Sequence, residues 1–136
     1  MHRKVTSLIL SVLFVICGAL PAQAAVSDTG FADVVTNAWY AEAVTYCHNH
    51  GLMSGTGNNN FSPDGTANRA MLLAVLYRQA GSPAVTSTSN FTDVPANAYY
   101  KTAVDWGAST GLVSGYGNGR FGSNDPVTRQ DLASFL

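Results

Sequence analysis

Two arginines, Arg69 and Arg129, stand sixty positions apart, and each follows a residue suited to cap a helix, Asn68 or Thr128. A cation there occupies the first helical turn, where the helix dipole disfavours it by about 0.3–1 kcal/mol. An anion that met free helix N–H groups and a bidentate guanidinium together would resolve the misfit. A carboxylate borne by a sugar fits that description, and so does an internal partner such as Asp33, Asp93, Asp64 or Asp125. Other candidate contacts recur at the same offset. Trp39 and Tyr99 each precede a tyrosine and can lay an aromatic face on a sugar ring, whereas Tyr40 and Tyr100 fall on the core-facing period. Asp33 and Asp93 can accept from sugar hydroxyls or cap the adjacent turn. Ser54-Gly55 and Ser114-Gly115 let backbone come close to a ligand, or simply allow a positive φ.

Other chemistries lack their parts. Cys47-His48-x-His50 hints at a metal, yet the second copy has Gly107, Ala108 and Thr110 there, and too few ligands remain, so no metal or other cofactor is expected. Gly117, Gly119 and Gly122 match a dinucleotide-loop spacing without the preceding strand or the later acidic residue. No nucleophile is paired with a base, and the sequence reads as non-enzymatic.

The elements that position these residues come from one unit written twice. Residues 31–76 and 91–136 align without a gap and are identical at 18 of 46 positions, where chance gives about three. Within each unit Tyr40, Ala43, Val44 and Cys47, or Tyr100, Ala103, Val104 and Gly107, follow helical spacing. Asn37 and Asn97 are the expected N-caps, and Gly51 and Gly111 the expected terminators. A Gly/Asn-rich loop follows, over 53–67 or 113–127. Then comes a second helix with Leu72, Val75 and Leu76 as its apolar face, and Thr128 with Asp131 imitates a capping box. The expected fold is all-α: tandem helix-loop-helix repeats that pack into a helical bundle, since one hairpin has too little apolar surface to fold alone.

The expected organisation is a secretory signal peptide over 1–24, unit 1 over 25–81, a linker over 82–90 and a shortened unit 2 over 91–136. His-Arg-Lys at 2–4, an uncharged stretch to Leu20 and the small-residue exit at Ala22-Gln23-Ala24 make the signal, and its apolar part is too short for a membrane anchor. Its removal would leave five basic and eight acidic residues, with no Lys/Arg cluster of the kind nucleic acids require. A composition 46% hydrophobic and 11% charged also excludes a disordered tail, a collagen repeat and a coiled coil. Unit 2 stops at Leu136, the counterpart of Leu76, so the chain reads as the N-terminal part of a longer protein.

F-x-D-V, an aromatic pair, A-V, G-L-x-x-G, a Phe and then an arginine opening the second helix together resemble the S-layer homology domain, over essentially all of 31–136. The family's usual T-R-A-E is T-R-Q-D at Thr128 and N-R-A-M at Asn68, the latter without the acid. The resemblance implies units that commonly come in threes and pack about a pseudo-threefold axis into a helical prism. It also implies non-covalent anchoring of an exported protein to a secondary cell wall polysaccharide of a bacterium, often one bearing ketal-linked pyruvate. The partners expected are therefore an acidic wall glycan and other units of the same kind, at the cell wall or S-layer, with no nucleic acid and no membrane once the signal is cut. Two other roles stay open: a structural or self-assembly repeat without glycan contact, and the targeting arm of a wall enzyme.

Overall fold

A computed structural model describes residues 29–135; the expected signal peptide lies outside them. Four helices follow in order: α1 Ala41–Asn49, α2 Arg69–Gln79, α3 Lys101–Ser109 and α4 Arg129–Phe135. Among the described residues there is no β-strand, only isolated bridges at Gly57–Asn60 and Asn68–Pro126.

Asn37 and Asn97 do not cap the first helices, which begin a turn later behind Tyr40 and Tyr100. The cause lies just upstream. Val34 and Val94 are buried, and their neighbours Asp33 and Asp93 are tied to distant loops. The chain so pinned passes through tight turns (Ala38 N–H to the Val35 carbonyl, 2.9 Å; Ala41 N–H to Ala38, 3.0 Å) before helical geometry can start. At the second helices the expected caps are in place. The Asn68 side chain accepts from the Met71 N–H at 2.9 Å. Thr128 and Asp131 bond reciprocally, Asp131 N–H to Thr128 Oγ1 at 3.2 Å and Thr128 N–H to Asp131 Oδ2 at 2.9 Å. Gly51 and Gly111 take φ of 66° and 74° after α1 and α3, a geometry that costs glycine little.

The buried side of α2 is Ala70, Leu73 and Ala74, not the Leu72, Val75 and Leu76 stripe expected from the sequence. Leu72 and Leu76 are only partly buried, because α2 is apolar nearly all round and its neighbours select the side. Those neighbours belong mainly to the second unit. One core joins Ala70, Leu73 and Ala74 to Val94, Ala103, Val104, Val113, Phe121 and Phe135. A smaller core holds Val34, Ala41 and Val44 beneath Phe31 and Phe61. So α2, written in the first repeat, is packed into the second, against α3. The 82–90 segment is fastened at both ends: Tyr77 donates to the Pro83 carbonyl at 2.9 Å, and the Ser89 N–H donates to Asp105 at 2.7 Å.

Candidate functional site

Arg69 is the most engaged residue of the seam between units. It is only 6% exposed. Its Nε donates to the Phe121 carbonyl at 3.1 Å and Nη2 to the Ser114 carbonyl at 3.4 Å. Nη1 lies 3.6 Å from Asp131, and the guanidinium carbon is 5.0–5.2 Å from the ring centroids of Tyr116, Phe121 and Phe135. Backbone bonds accompany it: Arg69 N–H to Asp125, Ala70 N–H to Ser123, and Val127 N–H back to Ala67. The helix-end misfit is thus compensated inside the protein, by carbonyls and by Asp131, which was not among the internal partners foreseen. Arg129, its counterpart, is exposed and meets no ion-pair partner among the described residues.

Asp33 and Asp93 also work internally. Asp33 accepts from the Phe61 and Ser62 N–H groups at 2.8 and 2.7 Å, and Asp93 from those of Phe121 and Gly122, both at 2.8 Å. Each closes its own unit across 28 residues rather than capping the adjacent turn. The Phe61 N–H foremost holds the Asp33 carboxyl below its ordinary value. For Asp93 burial opposes ionisation, but the Phe121 and Gly122 N–H groups with Arg120 outweigh it and the net shift is also downward. The glycines after Ser54 and Ser114 have a steric reason. A Cβ on Gly55 would strike the Asn60 carbonyl and the Phe31 ring; one on Gly115 would strike the Arg120 carbonyl and Phe91. Neither has positive φ.

Trp39 and Tyr99 stand outward, 94% and 66% exposed, each edge-on to the half-buried tyrosine that follows it. His48 packs edge-on to Phe31, and His50 stacks on Tyr46 with ring centroids 3.9 Å apart, so both imidazoles are occupied by aromatic contacts.

Three of the sequence-derived candidates meet in one place. Ser54 and Gly55, with Met53 and Thr56, form one wall of an open groove of about 470 Å³. Met71, Ala74, Val75 and Arg78, spaced i, i+3, i+4, i+7 on α2, form another, and Tyr99 of the second unit closes it. Arg69, Asp33, Asp93, Trp39, Ser114, Gly115 and Arg129 lie outside this lining. Arg78 is the residue that sequence reasoning missed. Its signal was the helical spacing that puts a cation one turn beyond Ala74, beside the closing carbonyls of α2, where the dipole favours it. Nη1 donates to the Leu52 carbonyl at 3.0 Å, which leaves the other donors of a five-donor fork for a ligand. Partial desolvation of the Tyr99 phenol, on a side chain otherwise largely exposed, raises it above its ordinary value against the pull of Arg78. Chemically the groove offers an aromatic face, an apolar floor, hydroxyls and one cation. That set suits a sugar carrying a carboxylate.

Known proteins agree on the family. A family model of the S-layer homology domain matches residues 30–70 and 90–133. The chain is 29% identical over 115 residues to a cell surface protein of Thermoanaerobacter kivui, a match covering 81% of this chain and 15% of that protein. It is 26% identical over 130 residues to an endoglucanase of Bacillus sp. (strain KSM-635), covering 96% and 14%. It is 32% identical over 95 residues to a surface-layer 125 kDa protein of Lysinibacillus sphaericus, covering 70% and 8%. The chain therefore spans no more than 15% of the length of these relatives. No solved structure matches it. Two matched segments with the same F-x-D-V to arginine pattern cover more than half of the sequence: the chain belongs to the S-layer homology domain family, the cell-wall anchoring modules of surface proteins.

Proposed function

We propose that this chain is a non-catalytic anchor that binds an acidic secondary cell wall polysaccharide through the groove between its units. The observation that carries the reading is the convergence of Ser54, Thr56, Arg78 and Tyr99, drawn from two units, on one open groove. Arg78 pairs with a carboxylate such as that of a pyruvyl ketal, Tyr99 stacks on a ring, and the Ser54 and Thr56 hydroxyls meet sugar hydroxyls. Family membership supports a bacterial cell-surface location, and no helix among the described residues is long and apolar enough to cross a membrane. A pseudo-threefold prism with a third unit, and export by residues 1–24, belong to the same reading. The endoglucanase relative supports a companion role, in which a module of this kind tethers a catalytic domain elsewhere in a longer polypeptide.

Calorimetry with purified wall polysaccharide, intact and stripped of pyruvyl ketals, tests the mechanism. Arg78→Ala is expected to weaken binding at least about tenfold, as loss of a charge-assisted hydrogen bond implies. Tyr99→Ala is expected to weaken it several-fold through lost ring contact. Equal binding of stripped glycan, or unchanged affinity in both variants, overturns the reading.

A further inference from the structure

Asn118-Gly119 is the one Asn-Gly pair in the sequence, and it stands at the tip of the second unit's long loop with both residues exposed. Gly117 and Gly119 take φ of 79° and 78°, so the chain around Asn118 is formed by residues without side chains. The Asn118 carboxamide oxygen accepts from the Arg120 N–H at 3.1 Å, which draws electron density away from the carboxamide carbon. The Gly119 N–H donates to no partner among the described residues, so its nitrogen can turn on that carbon without breaking a hydrogen bond. The first unit supplies a matched comparison at Asn58-Asn59. Its tip is tied in the same way, the Asn59 carbonyl accepting from the Ala32 N–H at 2.8 Å and the Gly119 carbonyl from the Thr92 N–H at 2.9 Å. There, however, an asparagine side chain shields the nitrogen that glycine leaves bare.

We propose that Asn118 is a modification site at which the chain deamidates without an enzyme. The Gly119 nitrogen gives up its proton and bonds to Asn118 Cγ; the Cγ–Nδ2 bond breaks and the amide nitrogen, taking a proton, leaves as ammonia. The resulting five-membered imide is opened by one water, at Cγ to give aspartate or at the backbone carbonyl to give isoaspartate. Water enters and ammonia departs, so solvent is the only co-reactant. Isoaspartate lengthens the main chain by one carbon inside the turn that the Tyr116 N–H closes on the Arg120 carbonyl at 2.9 Å. Next along the chain are the Phe121 and Gly122 N–H groups that hold Asp93, and the Phe121 carbonyl that receives Arg69. The change therefore loosens the second unit from its loop tip toward the seam and leaves the first unit's loop intact.

Ageing the purified chain in mildly alkaline buffer, followed by peptide mass spectrometry and an isoaspartate assay, tests this. Isoaspartate is expected to accumulate at 118 several-fold faster than at Asn58. Asn118→Gln, which would have to close a six-membered ring, slows the conversion several-fold or more. So does Gly119→Ala, whose Cβ meets only Thr92 Cγ2, at 3.9 Å, but whose φ is strained; circular dichroism checks its fold, and Asn118→Gln keeps the glycine. The aged chain is expected to unfold at lower urea than the fresh one, whereas fresh Asn118→Asp, which carries the charge on an unaltered backbone, stays close to the parent. No conversion at 118, equal rates at 58 and 118, unslowed conversion in Asn118→Gln, an aged chain as stable as the fresh one, or Asn118→Asp as weakened as the aged chain overturns the proposal.

Discussion

α1 and α3 are nine-residue helices that share an Ala-Val pair, an upstream tyrosine and a glycine terminator, yet they live in different surroundings. α3 buries Ala103, Val104 and Gly107 under α2; α1 buries only Ala41 and Val44. The same holds downstream: Phe121 is fully buried, while Phe61 is half-buried. The difference teaches that the structural unit is not the repeat as written. A core is complete where the second helix of one repeat lies on the first helix of the next, and the described chain contains that arrangement once, as α2 on α3.

The sharpest way to break this comparison is to remove the equivalent phenylalanines. Phe121→Ala empties a site enclosed by two units and should cost about 3–5 kcal/mol. Phe61→Ala, at the half-buried twin, should cost clearly less because solvent already reaches it. Urea unfolding followed by tryptophan fluorescence gives both values. Equal losses would mean that α2 does not distinguish the two cores.

The arginines separate the units next. Arg69→Ala strands the Phe121 and Ser114 carbonyls and the Asp131 carboxylate, and should cost about 1.5–3 kcal/mol, the range for hydrogen bonds to a charged group. Arg69→Lys keeps the charge but not the fork and should recover only part of that. Arg129→Ala, on an exposed helix, should stay within about 0.5 kcal/mol of the parent. A comparable loss at both positions would show that exposure does not separate the twins.

This pair also shows what was legible in the sequence. The repeat, the four helices, the Asn68 and Thr128 caps and the outward Trp39 and Tyr99 follow from local spacing and cap chemistry, and local rules govern them. What was not legible depends on contacts between units. Sequence spacing cannot say that α2 turns Leu73 rather than Leu72 inward, because its apolar residues surround the helix and α3 makes the choice. It likewise left Arg69 open between a ligand and an internal carboxylate, since the carbonyls that receive it lie 45 and 52 residues away. Arg78 escaped notice for a third reason: its groove partner Tyr99 comes from the neighbouring repeat.

The smallest expected effect concerns a feature in which the two units are alike. Asp33 and Asp93 accept the same pair of loop N–H groups, and both titrate below the ordinary 3.8. A carboxyl whose folded value is depressed stabilises the fold above its unfolded value, and that contribution is lost as the pH falls through the folded one. The urea midpoint should therefore hold steady near neutrality and drop as the pH goes below about 4, with Asp105 and Asp131, also shifted downward, adding to the same fall. Burial and its Lys101 and Ser89 contacts oppose each other at Asp105, whereas Thr128 dominates at Asp131. Asp33→Asn and Asp93→Asn should each make that acid fall shallower, by similar amounts, because both carboxylates are solvent-screened and hold one loop each. If only the second-unit variant changed the slope, the first unit's loop closure would carry no stability, and the two halves would differ in their local folds as well as in their neighbours.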